Sequence, residues 1–337
     1  MTDAAADAQK NDGRLLQALA DGAVRVDLRE GQPLGRGLIV ATGADRVRFL
    51  HGLVTGKVAG LPPGAGGRSA LLTTKAQVVG DLRIFVRADD IWIVVPGGQG
   101  DVLAAALSRY AIMDDFTAAA RPDFALVAVL GPAAAARLQE IDVDVGALAA
   151  QPTFSHASLG NLWVVRAHEL GQEGFWLAGD RARVDAADAA LARAGVPLLP
   201  HALADAARIA ALEPLWGAEI TADYFPMEVG LGGAIDYTKG CYLGQEPIVR
   251  IRDRGHINWR LVGLELASDV TAAPASGDAL ESDSKPKAGR VTSAARLPDG
   301  RGVALALLHT SVPVGSPIRI KHGEQALAAM VRADAGP

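Results

Sequence analysis

Residues 236–246 read Asp-Tyr-Thr-Lys-Gly-Cys-Tyr-Leu-Gly-Gln-Glu, and Cys241 inside that run is the one cysteine of the chain. Lys239 stands two residues before it, and an ammonium group beside sulfur favours the thiolate, the form that attacks or ligates. Gly240 and Gly244 flank the thiol; glycine admits positive φ and lets another group come close. A free cysteine often serves only as a small buried filler. The polar company of Lys239, Gln245 and Glu246 points instead to chemistry at the sulfur.

Lys239-Gly240-Cys241-Tyr242-x-Gly244-Gln245-Glu246 resembles the K-G-C-Y-x-G-Q-E motif of the YgfZ family. Those are folate-binding proteins that support assembly or repair of iron–sulfur clusters, related to glycine-cleavage aminomethyltransferase (T-protein). The resemblance extends to Gly43-Ala44-Asp45-Arg46-x-x-Phe49-Leu50-x-Gly52-Leu53, Arg208-Ile209 and Pro226-x-Glu228-x-Gly230-Leu231. It also takes in Gly255-x-Ile257-Asn258-x-Arg260-Leu261-Val262-Gly263, and spans most of the chain from Leu15 to Val331. It implies an α+β fold: two duplicated α+β domains and a small C-terminal β-barrel around a central folate channel. It implies tetrahydrofolate or a one-carbon derivative as cofactor, and iron–sulfur enzymes or cluster assembly proteins as partners. Cys241 and Lys239 are then the acting residues, with Gly240, Tyr242, Gly244, Gln245 and Glu246 supporting the motif.

One cysteine excludes an internal disulfide framework and a self-contained iron–sulfur cluster, which takes several ligands. A cluster is reached only through partners or through a single donated ligand. With 337 residues, half of them apolar, the chain can bury a large core and divide into two or three domains. Its formal charge of −5 argues against nucleic acid as a bulk partner. The Ala/Asp-rich start lacks the build of a signal or transit peptide, and no run approaches the roughly 18 apolar residues of a membrane span. The expectation is a cytoplasmic protein with neither membrane nor nucleic acid among its partners. The histidines are scattered without metal-ligand spacing, so no metal site is expected.

Two stretches repeat one order of elements, offset by roughly eighty to ninety residues, as an internal duplication produces. In the first, residues 37–41 read as a strand and Thr42-x-x-Asp45 as a capping box opening a helix. Extended runs at 70–74, 78–87 and 91–95 precede a helix at 101–110. In the second, a strand at 125–130 leads to a helix begun by Pro132. A hairpin over 159–168 and 174–178 follows, then a helix over 180–194. Each half reads β-α-β-β-α. A further helix over 203–212 stops at Glu213-Pro214. Residues 268–288 read as a surface loop, and the short apolar runs between 261 and 331 as a small barrel or sandwich. The expected division is a disordered 1–13, a first α+β folate-binding region 14–121, a second 122–256 carrying the cysteine motif, and a barrel 257–337.

Ile248–Arg254 reads as a strand on which Arg250, Arg252 and Arg254 share a face. Guanidinium groups pair with carboxylates in bidentate fashion and a folate tail carries carboxylates, so Arg250 is expected to hold it. By resemblance, Glu173 in the turn Gly171-Gln172-Glu173-Gly174-Phe175 offers its carboxylate to adjacent N–H donors of the pterin. Asp81 and Met227 complete the expected folate contacts. The sequence departs from aminomethyltransferases at Val79-Gly80-Asp81-Leu82, where they carry Asp-Asp-Leu. Gly80 stands at the place of the first aspartate, taken as catalytic, and glycine cannot exchange a proton. A second departure is Thr55-Gly56-Lys57, where relatives often have Thr-Asn-Asp. The expected function is a tetrahydrofolate-binding accessory protein for synthesis or repair of iron–sulfur clusters, acting through Cys241. The alternatives are a folate-dependent aminomethyl- or methyltransferase of the glycine-cleavage type, and a folate-binding scaffold with an inert cysteine.

Overall fold

The computed structural model describes residues 3–335. In chain order, α1 (Asp3–Asp21) and β1 (Val24–Asp27) precede β2 (Arg36–Thr42), α2 (Arg46–Leu53), β3 (Gly66–Leu72), β4 (Val78–Val86), β5 (Ile91–Pro96), α3 (Gly100–Ser108) and β6 (Thr117–Ala120). There follow β7 (Phe124–Leu130), α4 (Ala134–Gln139), α5 (Gly146–Ala149), β8 (His156–Leu159), β9 (Leu162–Glu169), β10 (Gln172–Asp180), α6 (Arg181–Arg193) and α7 (His201–Ala210). Two short 3-10 turns, Pro226–Val229 and Gly232–Ala234, lead to α8 (Gln245–Arg254). The last elements are β11 (Trp259–Leu266), β12 (Ala279–Ser282), β13 (Lys285–Arg296), β14 (Gly302–His309), β15 (Pro317–His322) and β16 (Gln325–Asp334).

The side-chain alternation of β4 explains the layering. Successive strand residues face opposite sides. Leu82, Ile84 and Val86 point one way, into a core shared with Leu50 of α2 and Leu103 and Leu107 of α3. Phe85 points the other way, into a core shared with Trp163 and Trp176 of the second sheet. The second sheet does the same, turning Val127, Phe175 and Leu177 toward Leu138 and Val184 of its covering helices. Two antiparallel sheets, β3-β4-β5-β2-β6 and β1-β7-β10-β9-β8, therefore pack inner face to inner face with helices outside. The six C-terminal strands close into a barrel in the order β11-β14-β13-β12-β15-β16. The duplicated α+β halves and the barrel are as expected.

Aromatic rings lock the two sheets. Phe85 meets Trp163 edge-on at 4.8 Å, and Trp163 meets Trp92 at 4.8 Å. Trp163 Nε1 donates to His156 Nδ1 (3.0 Å), and His156 Nε2 lies 3.0 Å from the carbonyl oxygen of Val86. Burial lowers the pKa of that imidazole, so the neutral ring bridges the sheets.

Several local expectations are corrected. The N-terminus is helical from Asp3, not disordered; Met1 and Thr2 lie outside the described residues. Alanine is the best helix former, and Leu15, Leu16 and Leu19 anchor α1 on the inter-sheet core. Gln9 Nε2 donates to the Pro298 carbonyl (2.7 Å), tying the helix to the barrel. The boundary at 121/122 does not separate the sheets, because β1 pairs with β7, Val24 opposite Leu130. The capping box at Thr42 does not form. Thr42 bonds Thr117 across the sheet instead (2.7 Å), and Asp45 accepts from the Asp115 N–H (3.0 Å). The latter half of the 268–288 loop is the β12–β13 hairpin, with Ala279 opposite Arg290. Barrel closure needs only one apolar face there, supplied by Leu280 and Ala288.

Candidate functional site

The cysteine motif is a loop pinned at both ends. Upstream, Asp236 Oδ1 accepts from the Thr238 N–H (2.8 Å), the Thr238 hydroxyl (2.7 Å) and the Lys239 N–H (3.2 Å). Lys239 Nζ then donates to the carbonyls of His51 (2.5 Å), Val54 (2.7 Å) and Gly56 (2.8 Å). These oxygens sit at and beyond the end of α2, where last-turn carbonyls lack helical partners. An ammonium group has three donors, and all three are used there. Burial pulls Lys239 down to about 8, against the attraction of Asp236. Lys239 is thus a cap that ties the motif to α2. Its three donors are committed to those carbonyls, so it offers the thiol its charge and no hydrogen bond.

Downstream, Tyr242 is buried among Met227, Leu231 and Ile248, its ring 5.3 Å from Lys239 Nζ. Burial pushes its phenol up to about 12. Gly244 has φ +78°, and a Cβ there would lie 2.4 Å from the Thr73 carbonyl oxygen. Gly240 has no such constraint, and a Cβ on it would meet nothing within 4 Å. Of the two flanking glycines only Gly244 is demanded by backbone geometry. Gly244→Ala is expected to destabilise the protein by more than about 2 kcal/mol, from left-handed strain plus the clash. Gly240→Ala is expected to stay within about 0.5 kcal/mol of wild type. Urea unfolding of both variants checks this contrast. Between the anchors, Cys241 is exposed.

The segment after the motif is a helix, and the expected strand is corrected. Ile248 is buried and Ile251 partly so in one cluster. Residues three apart share a helical face, so arginines two apart spread around the helix. Arg250 is 72% exposed and pairs with Glu246 one turn back (2.8 Å). Arg252 pairs with Asp253 (2.6 Å) and lies 5.4 Å over the Tyr237 ring.

A cavity of about 320 Å³ lies between the two sheets, walled by Arg36, Arg68 and Arg83 on one side and His168, Glu169 and Glu213 on the other. Gly233, eight residues before Cys241, closes part of the wall. Asp81 anchors the cationic side: Arg68 meets it through Nε (2.9 Å) and Nη2 (3.0 Å), and Arg83 through Nη1 (3.2 Å). Burial alone would raise its carboxyl, but the Arg68 and Arg83 guanidiniums hold it well below the usual range. Glu169 pairs with Arg36 (3.4 Å) and approaches Arg83 (3.9 Å). Glu213 accepts the N–H groups of Leu170 and Gly171 (2.8 Å each). Burial, then the neighbouring Glu169, raises its pKa. Behind it, buried Arg208 joins Glu219 (3.1 Å) to Ser293 of the barrel (2.9 Å).

Strand alternation sorts the expected folate contacts. A Cβ on Gly80 would meet Leu103 of α3 at 2.6 Å, so position 80 faces the covering helix. Asp81 takes the inward position. The reading of Gly80 as a lost catalytic carboxylate is corrected: the glycine admits Leu103, and the inward carboxylate is present but held by two arginines. Glu173 sits opposite His168 in register with outward Phe175, pairs with Arg166 (3.1 Å), and does not wall the cavity. Glu169, in phase with inward Val165 and Ala167, is the carboxylate that β9 turns inward. Met227 is buried beside Tyr242 and, like Arg250, is absent from the cavity wall. Thr55 donates to the Ala234 carbonyl (2.7 Å) and accepts from the Ala70 N–H (2.8 Å), tethering the approach to the motif. Sequence reasoning missed Arg36, Arg68, Glu169 and Glu213. The available signal was a charge at the inward phase of an apolar strand, as at Glu169 and Arg83.

Residues 28–239 match the GCVT N-terminal domain family, well over half of the chain. The chain belongs to that family. Among its relatives is the tRNA-modifying protein YgfZ of Yersinia pseudotuberculosis, 29% identical over 292 residues, covering 84% of this chain and 85% of that protein. The tRNA-modifying protein YgfZ of Yersinia enterocolitica is 28% identical over 300 residues with the same coverage. The glycine cleavage system aminomethyltransferase T of Bartonella henselae shares the fold, with a TM-score of 0.84 and 22% identity over 95% of this chain and 88% of that one. The likeness to YgfZ proteins read from the cysteine motif is thus upheld. The GCVT match ends at Lys239, just before Cys241. Among the described residues no helix is long and apolar enough to cross a membrane.

Proposed function

We propose that this GCVT-family protein binds tetrahydrofolate or a one-carbon derivative in the cavity between its sheets. Through Cys241 it assists the synthesis or repair of iron–sulfur clusters in client enzymes. The observation that carries this reading is the exposed thiol on a loop whose neighbours, Lys239, Tyr242 and Gly244, are all fixed in the fold. Such a loop offers one sulfur to a partner with little ordering cost on docking. With a single cysteine, the cluster is the client's and the thiol a transient ligand or nucleophile.

In the cavity, Glu213 and Glu169 are the acceptors for the pterin's N–H donors, and Arg36 and Arg68 the partners for the tail carboxylates. Glycine-cleavage transfer is disfavoured because Asp81, the inward carboxylate, is held as an anion by two arginines and makes a poor proton acceptor. The name of the Yersinia relatives, tRNA-modifying protein, favours a second reading, in which the assisted chemistry serves the modification of tRNA.

Equilibrium titration with tetrahydrofolate tests the cofactor half. Trp176 lies buried with Arg83 6.0 Å over its ring, so its fluorescence reports on the cavity. Glu213→Gln is expected to bind about tenfold more weakly or worse, since a buried charged acceptor is lost. Glu173→Ala and Arg250→Ala should bind as wild type. Unchanged affinity in a folded Glu213→Gln protein would remove folate from this cavity.

A further inference from the structure

A second cavity, of about 560 Å³, opens on the barrel. Leu280 and Leu307, both buried, form its floor, and the partly exposed rings of Tyr224 and Trp259 form its walls. Trp259 is held edge-on against His309 (5.5 Å, 88°). Lys287 and Arg290 stand at the cavity, Arg290 with its guanidinium 5.5 Å from the Tyr224 ring. Neither makes an ion pair among the described residues. The cavity's carboxylate, Glu281, is neutralised by Lys321 Nζ at 2.6 Å. All but Tyr224 lie beyond residue 239, outside the GCVT match.

We propose that this cavity binds a nucleotide, its base against Trp259 and Tyr224 and its phosphate on Lys287 and Arg290. Aromatic rings stack on any base, and unpaired cations beside them take the phosphate. An apolar ligand would leave both cations unused, and inorganic phosphate would leave both rings unused. The acidity of the whole chain does not oppose this. Residues 257–337 hold nine Lys and Arg against eight Asp and Glu, so the excess negative charge lies in the remainder. With only two free cations the site reads one or two nucleotides, which predicts a shallow salt dependence. The proposal goes beyond the folate and thiol reading and does not rest on it.

Calorimetric titration of the full chain with AMP and with a short single-stranded oligoadenylate tests it. Tighter binding of the oligomer than of AMP identifies an RNA segment as the ligand. Equal binding identifies a free nucleotide, and both results support the site. Trp259→Ala is expected to weaken binding about fivefold or more, the range of one lost base stack, while Trp259→Phe retains it. Lys287→Glu combined with Arg290→Glu should abolish binding, and Cys241→Ser should leave it unchanged. Circular dichroism confirms folding of each variant. Failure of the wild type to bind either probe at millimolar concentration and low salt would overturn the proposal. So would wild-type affinity in the Lys287→Glu, Arg290→Glu double variant.

Discussion

Cys241→Ser is expected to leave the protein folded and able to bind folate, yet unable to restore iron–sulfur enzyme activity in a deletion strain. The side chain is exposed, and serine keeps nearly its volume, so unfolding should stay within about 1 kcal/mol of wild type. The loop's position comes from Lys239, Tyr242 and Gly244, none of which the substitution touches. What is lost is the sulfur, and a hydroxyl neither ligates nor attacks as a thiolate does. Complementation with measured client activities, alongside urea unfolding, separates the two effects. Full rescue by the serine variant would mean that the motif works through its backbone or its other side chains. An unstable serine variant would mean that the cysteine is a packing residue after all.

Asp81→Ala is expected to be among the most destabilising single changes in the chain. Asp81 is 3% exposed and is the anion for both Arg68 and Arg83. Removing it leaves two guanidiniums facing each other beside Arg36, and breaking a buried pair by deleting one partner costs roughly 3–5 kcal/mol. The pH dependence follows from the direction of its shift. The folded carboxyl lies below its ordinary value of 3.8, so its contribution is complete above that value and drains away as the pH falls beneath it. Denaturant unfolding at neutral pH and at a series of acid pH values should therefore show a loss in wild type that Asp81→Ala lacks. If the alanine variant unfolds like wild type at neutral pH, the cluster is not held together by this carboxylate. A folded but weakened Asp81→Ala protein should also bind tetrahydrofolate poorly, because Arg68 and Arg83 lose the group that orients them.

Apolar strand runs such as β4 and β7, turn residues between them, and the local chemistry around Cys241 were legible in the chain, because each depends on neighbours a few residues away. From these came the α+β halves, the barrel strands from Leu261 to Val331, and the motif with its resemblance. What needed the tertiary structure was the destination of each face. Arg83 and Glu169 look like solvent-side charges of half-buried strands until a second sheet covers that side and makes them a cavity wall. Gly80 looks like a missing catalytic group until Leu103 is seen to occupy its space. Arginines at alternate positions from 250 to 254 mimic a strand, but Ile248 and Ile251, three apart, meet one core and select a helix. Lys239 sits beside Cys241 in the chain, yet its acceptors lie more than 180 residues upstream. A buried ammonium goes to whichever oxygen cage satisfies all its donors, and that cage was built by the end of a distant helix.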